Sequence, residues 1–330
     1  MRALVVDGFA PFETHEIREM PDPAPGPGEV VIDTQAMGMN FPDLLMLEGK
    51  YQHKPPRPFI AGFDAAGVAS AIGERVTRVA VGERVLTSLR SGAFATRVTA
   101  HEHAVWQMPD AMSFEEGAAL GLTYLTAYIS LIENARAQAG ETVLITGASG
   151  GVGIAMTQFG TAMGMRIIGG VTSAQKAVLV QENGADSTVD LAADNLRDSL
   201  RDEVYALTEG RGVDLVVDVV GGDVFDAAIR AIRPGGRIAI LGFASGRIPV
   251  IKANYLLVKR LTAIGSPLTS GRSRAEVDTL KDRGMAELFR LYEAGGVKPV
   301  ISARLGFDDW REAFRRFKER RVIGKIVMVP

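Results

Sequence analysis

The chain has 330 residues, 47% of them hydrophobic and 23% charged, and Lys+Arg 37 against Asp+Glu 39 leave a formal net charge of -2. That length corresponds to about two domains, each able to bury its own core, and the apolar content with balanced charge excludes a disordered chain, a collagen and a basic nucleic-acid binder. Cysteine is absent, which removes disulfides, thiol nucleophiles and thiolate-rich zinc sites and points to a reducing, cytoplasmic compartment.

The opening Met1-Arg2-Ala3-Leu4-Val5-Val6-Asp7 reaches charge too early for a signal peptide and reads as a first strand. No apolar run approaches the ~20 residues that span a bilayer, so a soluble protein is expected. From residue 1 to about 110, short β-branched segments are broken by Gly and Pro, the texture of a β-rich domain. Residues 21–28 read as a rigid proline-rich loop rather than a peptide ligand. Residues 30–34, 65–71 and 83–86 read as strands, and 41–48 as a short helix after an Asn-containing turn. His101, Glu102 and His103 read as strand, with two imidazoles on one face and too few further ligands for a metal.

Near residue 114 the texture changes. A helical stretch over 115–134 leads into 141–146, a continuous apolar strand of the doubly buried kind. Strands at 166–171, 187–190, 214–219, 237–241 and 261–265 then alternate with helical patterns, which implies a parallel sheet covered by helices on both faces. A polar stretch follows, then a helix over 274–294, a strand over 299–303, a helix over 308–320 and a strand over 325–329. These last elements break the rhythm, so the α/β unit (121–265) is expected to be inserted between two parts of a first domain (1–120 and 266–330).

Thr146-Gly147-Ala148-Ser149-Gly150-Gly151-Val152-Gly153 follows a strand and opens a helix, the place where a dinucleotide pyrophosphate is held by close backbone approach and helix N-terminal amides. The spacing of Gly147, Gly150 and Gly153 departs from strict G-x-G-x-x-G, and Ser149, Gly150, Gly151, Val152 and Gly153 are the expected cofactor contacts. The next strand ends in Thr172 and Ser173, with Lys176 just beyond and no carboxylate to accept from a ribose hydroxyl. NADPH is therefore expected rather than NADH; the competing reading makes Lys176 an ordinary exposed helix residue. The turn also fits T-G-x-x-x-G-x-G, and Tyr255 with Lys259, and Ser245 upstream, would complete a short-chain dehydrogenase set. About 140 residues precede the turn and the interval to Tyr255 is short, which argues against that reading.

Matching residues run the full length: Gly38-Met39-Asn40-Phe41-Pro42-Asp43, Ala61-Gly62-Phe63-Asp64-Ala65-Ala66-Gly67, Val81-Gly82-Glu83-Arg84-Val85, Leu125-Thr126-Ala127-Tyr128, the glycine turn, and Gly324-Lys325-Ile326-Val327. Through them the chain resembles zinc-free members of the medium-chain dehydrogenase/reductase superfamily, similar to NADPH:quinone oxidoreductases of the zeta-crystallin type and to their enoyl reductase relatives. The resemblance implies an α/β protein with a GroES-like β-rich catalytic domain, an inserted Rossmann domain with a doubly wound parallel sheet, a cleft between them, and a homodimer with residues 261–265 near the pairing edge. Zinc members hold metal through a Cys matching Asn40 and a His matching Phe63; both are replaced, so no metal is expected.

The resemblance further implies hydride transfer from NADPH to a quinone, or, as an alternative left open, to the β-carbon of an α,β-unsaturated carbonyl or enoyl-CoA thioester. It places Asn40 beside the nicotinamide, Thr126 in contact with it and Gly242 and Phe243 at its border. Tyr51 would orient the acceptor or donate a proton, against the plainer reading of a packing residue. Leu45 and Leu191 stand where relatives carry tyrosines, one in the cleft and one near the adenosine phosphate, so Lys176 and Arg321 would carry that phosphate. The basic run 315–321 lies opposite Asp308 and Asp309 on one helix and reads as a solvated face suited to the helix dipole. A reading from another class makes the chain a non-catalytic NADPH-binding sensor.

Overall fold

The computed structural model describes all 330 residues, which form two compact units: Met1–Thr123 together with Pro299–Pro330, and Tyr124–Lys298. In chain order the first unit contains β1 (Arg2–Val6), β2 (Glu16–Glu19), β3 (Glu29–Met39), α1 (Phe41–Leu47), β4 (Phe59–Ile60), β5 (Asp64–Ile72), β6 (Arg84–Ser88), β7 (Arg97–His101), β8 (Val105–Gln107) and the first turns of α2 (Phe114–Tyr128). The second unit follows with β9 (Thr142–Thr146), α3 (Gly151–Ala162), β10 (Arg166–Val171), α4 (Ala174–Glu182), β11 (Ser187–Asp190), α5 (Leu196–Leu207), β12 (Val213–Asp218), α6 (Gly222–Ala228), β13 (Ile232–Ile240), α7 (Ala253–Lys259), β14 (Thr262–Gly265) and α8 (Arg274–Glu293). The chain then re-enters the first unit with β15 (Ile301–Gly306), α9 (Trp310–Lys318) and β16 (Lys325–Val329).

In the first unit a mixed sheet runs β15-β16-β3-β5-β6-β8, with β7 also on β3, beside a small sheet β2-β1-β4. β3 extends to Met39, five residues beyond the β-branched segment that marks it in sequence. Its latter part lacks β-branched residues but pairs with β5 on one side and β16 on the other, so partners on both edges override weak local propensity. The last elements share a core with the first: Trp310, Phe314, Ile326 and Met328 pack with Leu4, Phe12, Met37 and Met39. Gly121 brings α2 close to this sheet, since a Cβ there would lie 2.4 Å from Asp64 Oδ1.

The second unit holds a parallel sheet ordered β11-β10-β9-β12-β13-β14. Chain order reverses between β9 and β12, the topological switch where open α/β sheets bind ligands. The sequence reading returned the chain to the first domain at 266, whereas α8 belongs to this second unit and the chain returns at Pro299. Gly284 of α8 lies so close to Tyr128 that a Cβ would sit 2.8 Å from its ring, and Leu280, Met285, Leu288 and Leu291 are buried. The helix expected over 115–134 also changes pitch: Ile129–Asn134 is a π-helix. Asn134 Nδ2 donates to Ser266 Oγ at 3.0 Å, and Ser266 Oγ donates to Ser130 Oγ at 2.9 Å, so the widened turn meets the chain leaving β14.

Candidate functional site

β9 is buried along its length and ends in Thr146. Thr146 Oγ1 donates to Asp218 Oδ1 at 2.6 Å, and the Gly221 amide donates to Asp218 Oδ2 at 2.9 Å. Asp218 thus ties the ends of β9 and β12 together at the switch point. Burial pushes its carboxyl above the ordinary range, while the Thr146 and Gly221 hydrogen bonds hold it down. Just beyond, Gly147 takes φ +66°, and a Cβ at Gly153 would stand 2.4 Å from Gly147 O. Only glycine fits that crossing of turn and helix. Helix α3 starts after Gly150 with no side-chain cap, so the amides at Gly151, Val152 and Gly153 lack intrahelical acceptors and face the end where helices attract anions. Ser149 is buried within the same turn.

At the end of β10 the side chains of Thr172, Ser173 and Lys176 come together. Lys176 Nζ donates to Thr172 Oγ1 at 3.0 Å, and Ser173 Oγ caps α4 by accepting from the Lys176 amide. Leu191 is buried. Gly242 and Phe243 follow β13, where the Leu241 amide bonds to Asp218 O at 2.9 Å; Phe243 is exposed. Thr126 is half-buried on α2. Arg321 lies in the first unit, exposed beyond α9 and paired with Glu319. Other cations of the 315–321 run are matched by carboxylates, Arg315 and Arg316 on Glu312 and Lys318 on Glu13.

In the first unit, Asn40 caps α1 and sits in a buried polar cluster that sequence reasoning did not assemble. Its backbone amide donates to Asp43 Oδ2 at 2.7 Å; its side-chain Nδ2 donates to Asp64 Oδ2 at 2.9 Å and Gly38 O at 3.2 Å. Lys325 Nζ donates to Asn40 Oδ1 at 2.6 Å and Met39 O at 2.8 Å. Asp64 Oδ1 accepts from the Leu122 amide at 2.9 Å. Asp43, Asp64 and Lys325 are 1%, 0% and 3% exposed, and ionisable groups persist in a core only when they are paired or give up their charge. Burial raises both carboxyls, Asp43 the more strongly, and lowers the Lys325 ammonium against the opposing pull of the two aspartates. Asp43 Oδ1 has no hydrogen-bond partner. Tyr51 stacks edge-on against Phe63 with ring centroids 5.7 Å apart, and burial holds its phenol above its ordinary range.

Three other readings meet the geometry. The positions matching zinc ligands hold the Asn40 amide and the Phe63 ring, and neighbouring Asp64 has both oxygens hydrogen-bonded, with an ammonium close by. This donor set does not fit zinc. His101 ends β7 and His103 lies in the 3-10 turn Glu102–Ala104, not on one strand as expected; their rings stack at 5.2 Å. Glu102 turns away to accept from the Thr77 and Arg78 amides at 2.7 and 2.9 Å, and no group of three His, Cys, Asp or Glu side chains converges on a metal position. Lys259 Nζ is spent on the carbonyls of Arg230 and Ile232 at 2.6 and 2.8 Å, while Tyr255 packs against the core. The Tyr-Lys pair is structural.

Residues 26–110 match the family described as alcohol dehydrogenase GroES-like domain, and residues 151–283 match zinc-binding dehydrogenase. The chain is 37% identical to quinone oxidoreductase-like protein 2 homolog of Nematostella vectensis over 92% of its own length and 82% of that protein's. It is 32% identical to the synaptic vesicle membrane protein VAT-1 homolog of Rattus norvegicus over 100% of this chain and 84% of that protein. Among solved structures, mycobacterial Rv1454c complexed with NADPH superposes with a TM-score of 0.91 at 30% identity over 100% of both chains. Escherichia coli quinone oxidoreductase complexed with NADPH gives 0.88 at 25% identity, again over 100% of both. With both family patterns, full-length relatives and the GroES-like and Rossmann sheets in agreement, this chain belongs to the quinone oxidoreductase-like family of the medium-chain dehydrogenase/reductase superfamily.

Proposed function

We infer that this chain is an NADPH-dependent oxidoreductase that passes hydride to an electrophilic acceptor without a metal, and we propose a quinone as that acceptor. The observation that carries the reading is the pairing of an uncapped α3 N-terminus behind Gly153 with Lys176 and Thr172 at the end of β10. The first suits a pyrophosphate, and the second suits a 2′-phosphate where NAD enzymes place a carboxylate. Bound NADPH supplies a hydride from nicotinamide C4. The backbone amides of Gly151, Val152 and Gly153 hold its pyrophosphate, and Lys176, Thr172 and Ser173 receive its phosphate. Asn40 and Thr126 are assigned to the nicotinamide, with Gly242 and Phe243 at its border. Tyr51 keeps its phenolic proton, because burial raises its pKa, so it donates a hydrogen bond to the acceptor oxygen as negative charge develops there.

An enoyl thioester is the second reading. Lys54 and Arg57 stand 6.0 and 4.9 Å from the Phe9 ring centroid, and this exposed cationic pair suits the phosphates of a CoA. Initial rates of NADPH oxidation with a small ortho-quinone and with a short enoyl-CoA decide between them. Faster oxidation with the quinone supports the first reading and faster oxidation with the thioester the second. Tight NADPH binding with neither rate points to a non-catalytic sensor. We further propose a homodimer paired along β14 and residence in the cytoplasm, the latter supported by the absence of cysteine. No helix is long and apolar enough to cross a membrane.

A further inference from the structure

The buried Asn40 amide has almost no freedom. A lysine ammonium only donates hydrogen bonds, so Lys325 Nζ at 2.6 Å requires the amide oxygen, Oδ1, on its side. The nitrogen then faces Asp64 Oδ2 at 2.9 Å and Gly38 O at 3.2 Å, both acceptors. Lys325 is itself held from β16 by Met39 O at 2.8 Å, and Asp64 from α2 by the Leu122 amide. Four elements (β3, β5, α2 and β16) therefore converge on one amide, and both of its N–H groups are consumed within the protein.

We propose that Lys325 is a positioning residue. Its ammonium fixes the Asn40 amide with Oδ1 outward from Asp64, on the side of Lys325 and the first turn of α1, so that both N–H groups are spent on Asp64 and Gly38 and Asn40 keeps no donor for a ligand. This rests on the assignment of Asn40 to the nicotinamide, and it narrows that role. Asn40 offers the cofactor no N–H, so it touches the nicotinamide through Oδ1 or through packing and does not stabilise an oxyanion. The chain has five asparagines, and Asn195 and Asn254 are exposed, which supplies an internal reference.

In the 15N-labelled full chain, the Asn40 side-chain amide pair is assigned by its loss in Asn40→Ala. It should exchange with solvent at least ~10-fold more slowly than the pairs of Asn195 and Asn254. Lys325→Met should remove most of that protection, whereas Lys325→Gln, which still donates, should retain it. Fast exchange in the unmodified chain, or equal exchange in the two variants, overturns the positioning role. Added NADPH should shift the Asn40 pair; a protected pair indifferent to NADPH overturns the assignment of Asn40 to the nicotinamide and leaves the orientation standing. With the ortho-quinone, Lys325→Met should lower kcat about 10-fold with KM for NADPH within about 2-fold, and Asn40→Ala/Lys325→Met should lose no more than the Asn40→Ala variant. Additive losses would show that Lys325 acts apart from Asn40. Should Lys325→Met not fold, the exchange rate in the unmodified chain and in Lys325→Gln decides the matter.

Discussion

Asp43 is a fully buried carboxyl with one oxygen on the Asn40 amide and the other without a partner. Burial raises its pKa well above 3.8, with the neighbouring Asp64 adding to the rise and the Asn40 amide and Lys325 opposing it. The native state therefore holds a proton that the unfolded chain releases near pH 4, so this group's contribution to stability falls as pH rises from about 4 through its folded pKa. Asp43→Asn keeps the acceptor for the Asn40 amide and removes the titration. The variant should melt close to the parent at pH 4 and above it at pH 8, since Asp64 titrates in both. Calorimetry across that range checks this, and parallel melting curves would contradict a neutral Asp43. For Tyr51→Phe, loss of the phenolic donor should lower kcat about 10-fold with little change in NADPH affinity. The parent should show no alkaline break from this phenol below pH 10, because its pKa is raised. An unaltered rate with every acceptor would leave Tyr51 as the edge-on partner of Phe63. At this scale the sequence located the glycine turn between β9 and α3 and Lys176 just beyond β10. It did not reveal Lys325, because this residue joins Asn40 only through the pairing of β16 with β3.

At the scale of elements, the β9–turn–α3 unit has the least tolerance. A Cβ at Gly153 would meet Gly147 O at 2.4 Å and Ala148 Cα at 2.6 Å, both backbone, so the turn itself would have to move. Gly153→Val should abolish NADPH binding measured by fluorescence, and it should lower thermal stability; retained binding would show that the pyrophosphate lies elsewhere. Helix α4 offers the complementary test. Lys176→Ala removes an exposed cation bonded only to Thr172 in its own segment, so folding should be unaffected. NADPH affinity should fall about 10-fold while NADH affinity stays constant. An unchanged NADPH/NADH ratio would remove Lys176 from the phosphate site. Strands β10 and β11 agree with the sequence reading residue for residue; β10 is the buried apolar run expected of a central parallel strand, and β11, at the sheet edge, is marked by β-branched Thr188 and Val189 between turns. β3 and the π-helical end of α2 departed from it, since pairing with β16 and the contact with Ser266 are made by segments far away in sequence.

For the whole molecule, β14 ends the parallel sheet with exposed residues, and the adjacent α7 leaves Leu257 and Val258 80% and 79% exposed. An open strand edge beside apolar surface is a template for pairing, consistent with the proposed dimer. Sedimentation should give about twice the 35.3 kDa chain mass, and replacing Leu257 and Val258 by Glu should move the species toward a single chain; a single-chain mass for the parent would refute the dimer. By itself the sequence determined the alternation of strand and helix, the glycine turn, the lack of thiol and imidazole ligands where zinc relatives carry them, and the cation at the end of β10. Each of these is a local pattern, written in neighbouring residues through periodicity, glycine and side-chain chemistry. Only the tertiary structure decided that α8 belongs to the second unit, that His101 and His103 stack without a third ligand, that Lys259 is committed to backbone carbonyls, and that Lys325 grips Asn40 across 285 positions of chain. Those facts depend on long-range packing and on where buried polar groups find partners, and no short-range pattern carries that information.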